Sequence, residues 1–381
     1  MPLRGALLLA LGAAILTGFV LWPRTRGTAW RVDEAHKVSE SYALRLLLER
    51  RWSDFATRID RSNGPFGKYA FGLAALLAGE ELPKEPLLAR LPRKALTEPY
   101  VADVYARPYL PLLAPSRRVS LFASALTVGL IALVAARTHS ALAAVIASAW
   151  CGGHWLTAQF GGDAIYDPLL KFLVFAALPL VLVPRRTLIL APVVGLVCAM
   201  AFQTRLNGGI ALAAVLAVFL LRKNWRAALL AVLAFAGGTI AMNPYYWPNP
   251  VDRLAQEISV LRTTLAAVTA GGVRLPLWAA ESAAREPIEW TALQKLRFVW
   301  IALDGGVRSL ALLAGVAAGC WAAIRQKSFA LVVWCAVVVA GTLIWLPLPW
   351  PRYLLVILPS LTLLAGIGYA TGLRGVFEAW R

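Results

Sequence analysis

Residues 119–136 read VSLFASALTVGLIALVAA, an uncharged run held between Arg118 and Arg137. A helix rises about 1.5 Å per residue, so this run approaches the roughly 20 residues that the ~30 Å hydrocarbon core of a bilayer requires. Working outward, runs of the same kind fall at about 4–22, 118–136, 139–158, 165–183, 187–204, 207–221, 226–242, 308–325, 329–347 and 352–373. The sequence predicts an all-α integral membrane protein with about ten crossing helices.

Composition agrees with that reading. Of 381 residues, 59% are hydrophobic and 15% charged, whereas soluble domains carry about 25% charged and about 45–50% apolar residues. The length would admit about two or three soluble domains, but no stretch has their composition. The net charge is +18. In a soluble protein that excess points to nucleic acid. Here many basic residues sit just beyond apolar runs, where the positive-inside rule and anionic headgroups account for them, so no nucleic acid partner is expected. Cys151, Cys198, Cys320 and Cys335 lie far apart in apolar runs without a CxxC pair, and read as buried free thiols. Arg4 followed by an apolar run to Trp22 resembles a signal peptide without a small-x-small cleavage site. It reads as an uncleaved anchor with a cytoplasmic N-terminus.

Basic residues orient the helices. Arg137, Arg185-Arg186, Arg222-Lys223 with Arg226, Arg325 with Lys327, and Arg374 fall at alternate span ends, which the positive-inside rule puts in the cytoplasm together with the C-terminus. The opposite face receives the loop 23–117, a turn near 159–165, the loop 243–307 and the turn from Pro347 to Arg352. Short hairpins would have served as connections, so the two long loops ask for a function. In the first, Leu44, Leu47, Leu48, Trp52 and Phe55 recur at helical spacing within Ser41–Phe55, as in a helix lying in the interface plane. The apolar run Phe66–Gly79 is short for a crossing and reads as re-entrant or as a short eleventh span. The second loop carries another amphipathic stretch, Val251–Val268.

Few residues here carry chemistry. Asp33-Glu34 places two carboxylates just past the first span, where a carboxylate near apolar surface can act as a base. A solvated acidic pair at a loop start is the plainer reading. In Asn63-Gly64-Pro65-Phe66-Gly67-Lys68-Tyr69, the glycines and proline suggest a tight turn opening a helix, with Lys68 about one turn in as a point charge for phosphate. A snorkelling interfacial lysine has the same pattern. Asp163 and Asp167 are spaced to share a helical face or to sit at the N-terminus of the span that follows, although Asp167-Pro168 also reads as a simple helix start. Arg205 and Arg352 fall on the outer face, against the positive-inside rule, and so invite an anionic partner there. Asn243-Pro244-Tyr245-Tyr246-Trp247-Pro248 reads as an aromatic belt. His36 and His154 lack metal-ligand spacing, and no P-loop, GxGxxG or GxSxG occurs. No cofactor is therefore certain, and a divalent metal stays possible although ligand spacing does not indicate one.

In order along the chain, these segments resemble the membrane glycosyltransferases of the GT-C type. The branch they are most similar to is that of the protein O-mannosyltransferases and aminoarabinose transferases. The resemblance rests on Asp33-Glu34 after the first span, Gly64-Pro65-Phe66-Gly67-Lys68, Asp167 leading into Pro168-Leu169-Leu170-Lys171-Phe172, Asn243-Pro244 before the second long loop, and Arg352-Tyr353-Leu354-Leu355 with Pro359. It departs from that pattern in having Asn63-Gly64 where the family has His-Pro or Pro. The resemblance implies about 10–11 helices in one membrane domain, with interfacial segments 41–55 and 251–268 roofing a site; as a further departure from the family, no soluble C-terminal domain is expected here. It implies a polyprenyl-phosphate-linked sugar as donor and a lipid, glycan or protein hydroxyl as acceptor. Asp33 would be the base with Glu34 beside it. Lys68, Arg205 and Arg352 would hold the donor phosphate, and Asp163, Asp167 and Tyr353 would orient substrate. The expected place is a bacterial inner membrane, with both termini cytoplasmic and the site facing outward. Because intramembrane charges also mark substrate pathways, a transporter or lipid flippase is the alternative.

Overall fold

The computed structural model describes residues 1–27, 30, 34–55, 63–87, 106–183, 186–253, 255–256, 291–345 and 351–380. Among these, every regular element is helical. In chain order the α-helices are α1 (Leu3–Leu21), α2 (Glu34–Ser39), α3 (Tyr42–Leu48), α4 (Pro65–Leu77), α5 (Leu113–Thr138), α6 (Ala141–Gly153), α7 (Trp155–Phe160), α8 (Asp167–Leu182), α9 (Thr187–Thr204), α10 (Gly209–Leu221), α11 (Trp225–Met242), α12 (Ala292–Ala302), α13 (Val307–Arg325), α14 (Phe329–Trp345) and α15 (Leu358–Ala379). Within the described residues, Leu3–Thr25, Arg107–Thr138, Thr187–Thr204, Trp225–Met242 and Val307–Arg325 are long and apolar enough to cross a membrane. Ala141–Gly153, Leu206–Leu221 and Phe329–Trp345 are shorter apolar helices.

Lipid offers helices no hydrophobic reason to associate, so close packing of small residues must supply it. A side chain at Gly319 or Gly368 would collide with the backbone of the facing helix, so α13 and α15 lie in backbone contact. Gly195 does the same between α9 and α11, and Gly129 faces the Ala10 carbonyl between α5 and α1. The first apolar segment is thus packed along the bundle.

Contacts at the helix ends tie separate helices of the bundle together. At one end, Arg137 donates to the Met1 carbonyl (3.1 Å), His139 lies between Gln326 and Thr371, and Arg222 donates to the Val181 carbonyl (2.6 Å). At the other end, Arg24 donates to the Gln159 carbonyl (2.8 Å) and Asn243 to Gln203 Oε1 (3.2 Å).

Four expectations need correction. The span placed at 139–158 is broken at His154, whose extended backbone ends α6 and whose Nδ1 accepts the Leu156 N–H to cap α7. The crossing placed at 118–136 begins earlier, as a 3-10 turn (Arg107–Leu112) running into α5, so Arg117 belongs to a helix and not to the loop. The amphipathic stretch 41–55 is not one helix: α3 stops at Leu48, and Arg50 turns into the left-handed region at φ 56°. Its buried face is Tyr42, Ala43, Leu44 and Leu46, while Leu48 is exposed. Finally, the segment 352–373 splits into a 3-10 turn (Pro351–Val356), which carries Arg352 and Tyr353, and α15, with Pro359 in its first turn. The open question at Phe66–Gly79 is answered by α4, whose 13 residues span about 20 Å and do not reach across a bilayer. Of the stretch 251–268, only 251–253 and 255–256 lie within the described residues.

Candidate active site

Asp33 lies outside the described residues. Its neighbour Glu34 opens α2 and is fully buried. Arg117, from the start of α5, donates Nε to Oε1 (2.8 Å) and Nη2 to Oε2 (2.6 Å), and the Ala164 N–H adds a third bond to Oε1 (2.7 Å). Arg117 also donates to the Gly27 carbonyl. A bidentate guanidinium–carboxylate pair with its remaining lone pairs used is the geometry in which a buried ion pair offsets its desolvation. Glu34, expected beside the base, thus ties the first long loop to α5 and to the 161–166 turn. Sequence reasoning missed Arg117. The available signal was the polar stripe Ser116, Ser120, Ser124 and Thr127, which marks one face of α5; Ser120 and Ser124 donate to the Ile165 and Gly161 carbonyls (3.2 and 2.9 Å).

Lys68 sits in the first turns of α4 and is likewise fully buried. Its Nζ pairs with Glu40 Oε1 at 3.2 Å. Glu40, just past α2, also receives the Tyr166 hydroxyl on Oε2 (3.1 Å) and Lys37 Nζ (3.3 Å), with His36 Nε2 at 3.9 Å from Oε1. The sequence reading did not single out Glu40, although an acid three and four residues beyond Lys37 and His36 is the local signal. The glycines before Lys68 serve close approach, not a tight turn. Gly64 has φ −64°, open to any residue, but a Cβ there would collide with the Gln203 backbone. A Cβ on Gly67 would stand 2.7 Å from the Tyr166 ring. Burial drives the Tyr69 phenol well above its ordinary pKa, so it stays neutral.

The other predicted residues converge. Asp167, the first residue of α8, forms an ion pair with Arg205, which ends α9. The Arg205 guanidinium stacks 4.8 Å from the Tyr353 ring, and that of Arg352 lies 5.7 Å from the same ring. Burial alone would lower the Arg205 pKa, but Asp167 and Tyr353 more than reverse that and keep it charged. Asp163 is buried in the turn just before α8, so the pair sits at the N-terminus of that span and does not share a helical face. At the same end, Asn243 accepts the Tyr245 N–H on Oδ1 (3.1 Å), starting the 3-10 turn Pro244–Tyr246. Trp247 meets Trp52 with ring centroids 4.7 Å apart, joining the two long loops. His36 faces Glu40, while His154 caps α7.

No family model matches the chain, and no curated protein matches it in sequence. Solved structures do match. ArnT from Cupriavidus metallidurans, crystallised bound to undecaprenyl phosphate, superposes with a TM-score of 0.54 at 16% identity, covering 98% of this chain and 63% of that one. The Archaeoglobus fulgidus oligosaccharyltransferase in its apo form gives 0.52 at 13% identity, covering 99% and 51%. The chain therefore spans about two thirds or less of the length of either protein. The chain shares the all-helical membrane fold of these two proteins.

Proposed function

We propose that the chain is a glycosyltransferase that moves a sugar from a polyprenyl-phosphate donor to an acceptor hydroxyl at the non-cytoplasmic membrane face. The observation that carries this reading is the gathering of Lys68, Arg205 and Arg352 at one end of a GT-C bundle, each fixed by a carboxylate or an aromatic ring. The neighbour crystallised with undecaprenyl phosphate supports it.

In this mechanism Asp33 takes the proton of the acceptor hydroxyl as its oxygen attacks the anomeric carbon from the face opposite the phosphate. The new C–O bond forms as the bond to the phosphate oxygen breaks, so the configuration inverts and the polyprenyl phosphate leaves with the electron pair. Lys68, Arg205 and Arg352 stabilise the charge that grows on it. Glu34 orients the loop that carries Asp33, while Asp163, Asp167 and Tyr353 hold the cations and substrate in register. Residues 1–381 act as one membrane domain whose long outer segments, about 23–106 and 243–306, cover the site. Both termini lie in the cytoplasm of a bacterial cell, and the acceptor is a lipid, a glycan or a protein.

The test uses purified full-length chain in nanodiscs with a panel of synthetic polyprenyl-phosphate hexoses and pentoses, the products read by mass spectrometry of lipid extracts. Sugar transfer from at least one donor is expected. Failure across the panel, together with measurable lipid or solute movement, would replace the enzyme by a transporter.

A further inference from the structure

Three separate segments send a polar group to the same carboxylate. Glu40 receives Lys68 from α4, Tyr166 from the turn that precedes Asp167, and Lys37 with His36 from α2. Its two oxygens divide the work. Oε2 takes the Tyr166 hydroxyl and Lys37, whose ammonium also lies 5.4 Å from the Tyr166 ring, while Oε1 faces Lys68 at 3.2 Å. Tyr166 is in turn wedged against Gly67, one residue before Lys68. Glu40, Lys68 and Tyr166 are all buried. A flexible lysine buried this deeply has no water to keep its ammonium in one place, so the side chain that holds it sets where the charge points.

From this arrangement we propose that Glu40 is a positioning residue for the lipid-phosphate site, acting through Lys68. The proposal rests on the glycosyltransferase reading and adds to it the group that aims its phosphate-binding ammonium. Glu40 does not touch the phosphate. Tyr166 and Lys37 hold its carboxylate, and the carboxylate holds the Lys68 ammonium in place. A glutamine at this position keeps the size but loses the charge. It must also turn its amide N–H₂ toward either Lys68 or the Tyr166 and Lys37 donors.

The experiment measures binding of undecaprenyl monophosphate to full-length protein in nanodiscs, so catalysis is not required. Glu40→Gln is expected to weaken binding about tenfold, because the neutral amide no longer holds the Lys68 ammonium by charge. In a Lys68→Ala background the same change is expected to alter affinity by less than about twofold, because residues acting through one another do not add. Glu40→Asp, which keeps the charge, should recover part of the loss. If Glu40→Gln fails to fold, Tyr166→Phe replaces it: this variant removes the hydroxyl that reaches both Glu40 Oε2 and the Lys37 carbonyl, and should weaken binding a few-fold, again only when Lys68 is present. Unchanged affinity in the tested variant, or an equal loss with and without Lys68, overturns the role of Glu40 and leaves the donor site standing. No binding by the wild type removes the donor site, and the role of Glu40 with it.

Discussion

Arg117 and Glu34, 83 residues apart, form a bidentate ion pair with both side chains withdrawn from solvent. Removing one partner strands a buried charge, which costs about 3–5 kcal/mol. Arg117→Met should therefore lower the melting temperature of the purified protein by several degrees. The double variant Glu34→Leu, Arg117→Met should recover most of that loss. A single variant as stable as wild type would show that this pair contributes nothing to the fold.

Gly64 and Gly67 differ in what a methyl group would meet. At Gly64 it meets the Gln203 backbone, which cannot rotate away, whereas at Gly67 it meets the Tyr166 ring, which can shift slightly. Overpacking costs about 1–3 kcal/mol. Gly64→Ala should be the more destabilising of the two by thermal unfolding, and Gly67→Ala should chiefly weaken lipid-phosphate binding by displacing Tyr166. The reverse order would refute the close packing of α4 against α9.

Asp33→Asn separates base from scaffold. If Asp33 accepts the proton, sugar transfer should fall by roughly 10²–10⁴-fold with donor affinity little changed. Full activity in the purified variant excludes Asp33 as the base.

Arg205 pairs with Asp167 and stacks on Tyr353 at once. A lysine can satisfy the charge but not the planar stack. Arg205→Lys should raise the donor KM and lower kcat, and Asp167→Asn should do the same more mildly, because the stack remains. Kinetics of transfer at varied donor concentration decide this. Wild-type constants in Arg205→Lys would mean that only its charge matters.

Sidedness is tested by labelling. Cysteines placed at Glu49 and Trp247 should react with a membrane-impermeant reagent in whole cells, and cysteines at Arg222 and Arg325 only after permeabilisation. The opposite pattern would put the Lys68 end in the cytoplasm and end the proposed orientation.

Crossing helices were legible in the sequence because a bilayer demands length and hydropathy, two properties that a single stretch such as 187–204 displays without neighbours. The break at His154 was not, because a polar cap inside an apolar run hardly changes its hydropathy. Nor could local spacing disclose partners. Glu40 meets Tyr166, 126 residues away, and Glu34 meets Arg117 only because α2, α4, α5 and the turn before α8 pack at one end of the bundle. The same holds for Gly64, which looks like a turn residue in sequence and proves to be a contact surface for Gln203. By itself the sequence determined which segments form the apolar helices of the bundle, since length and hydropathy are properties of a stretch and its close neighbours. Which carboxylate holds which cation was decided by tertiary structure alone, because a buried charge takes its partner from whatever helix the packing brings within about 3 Å.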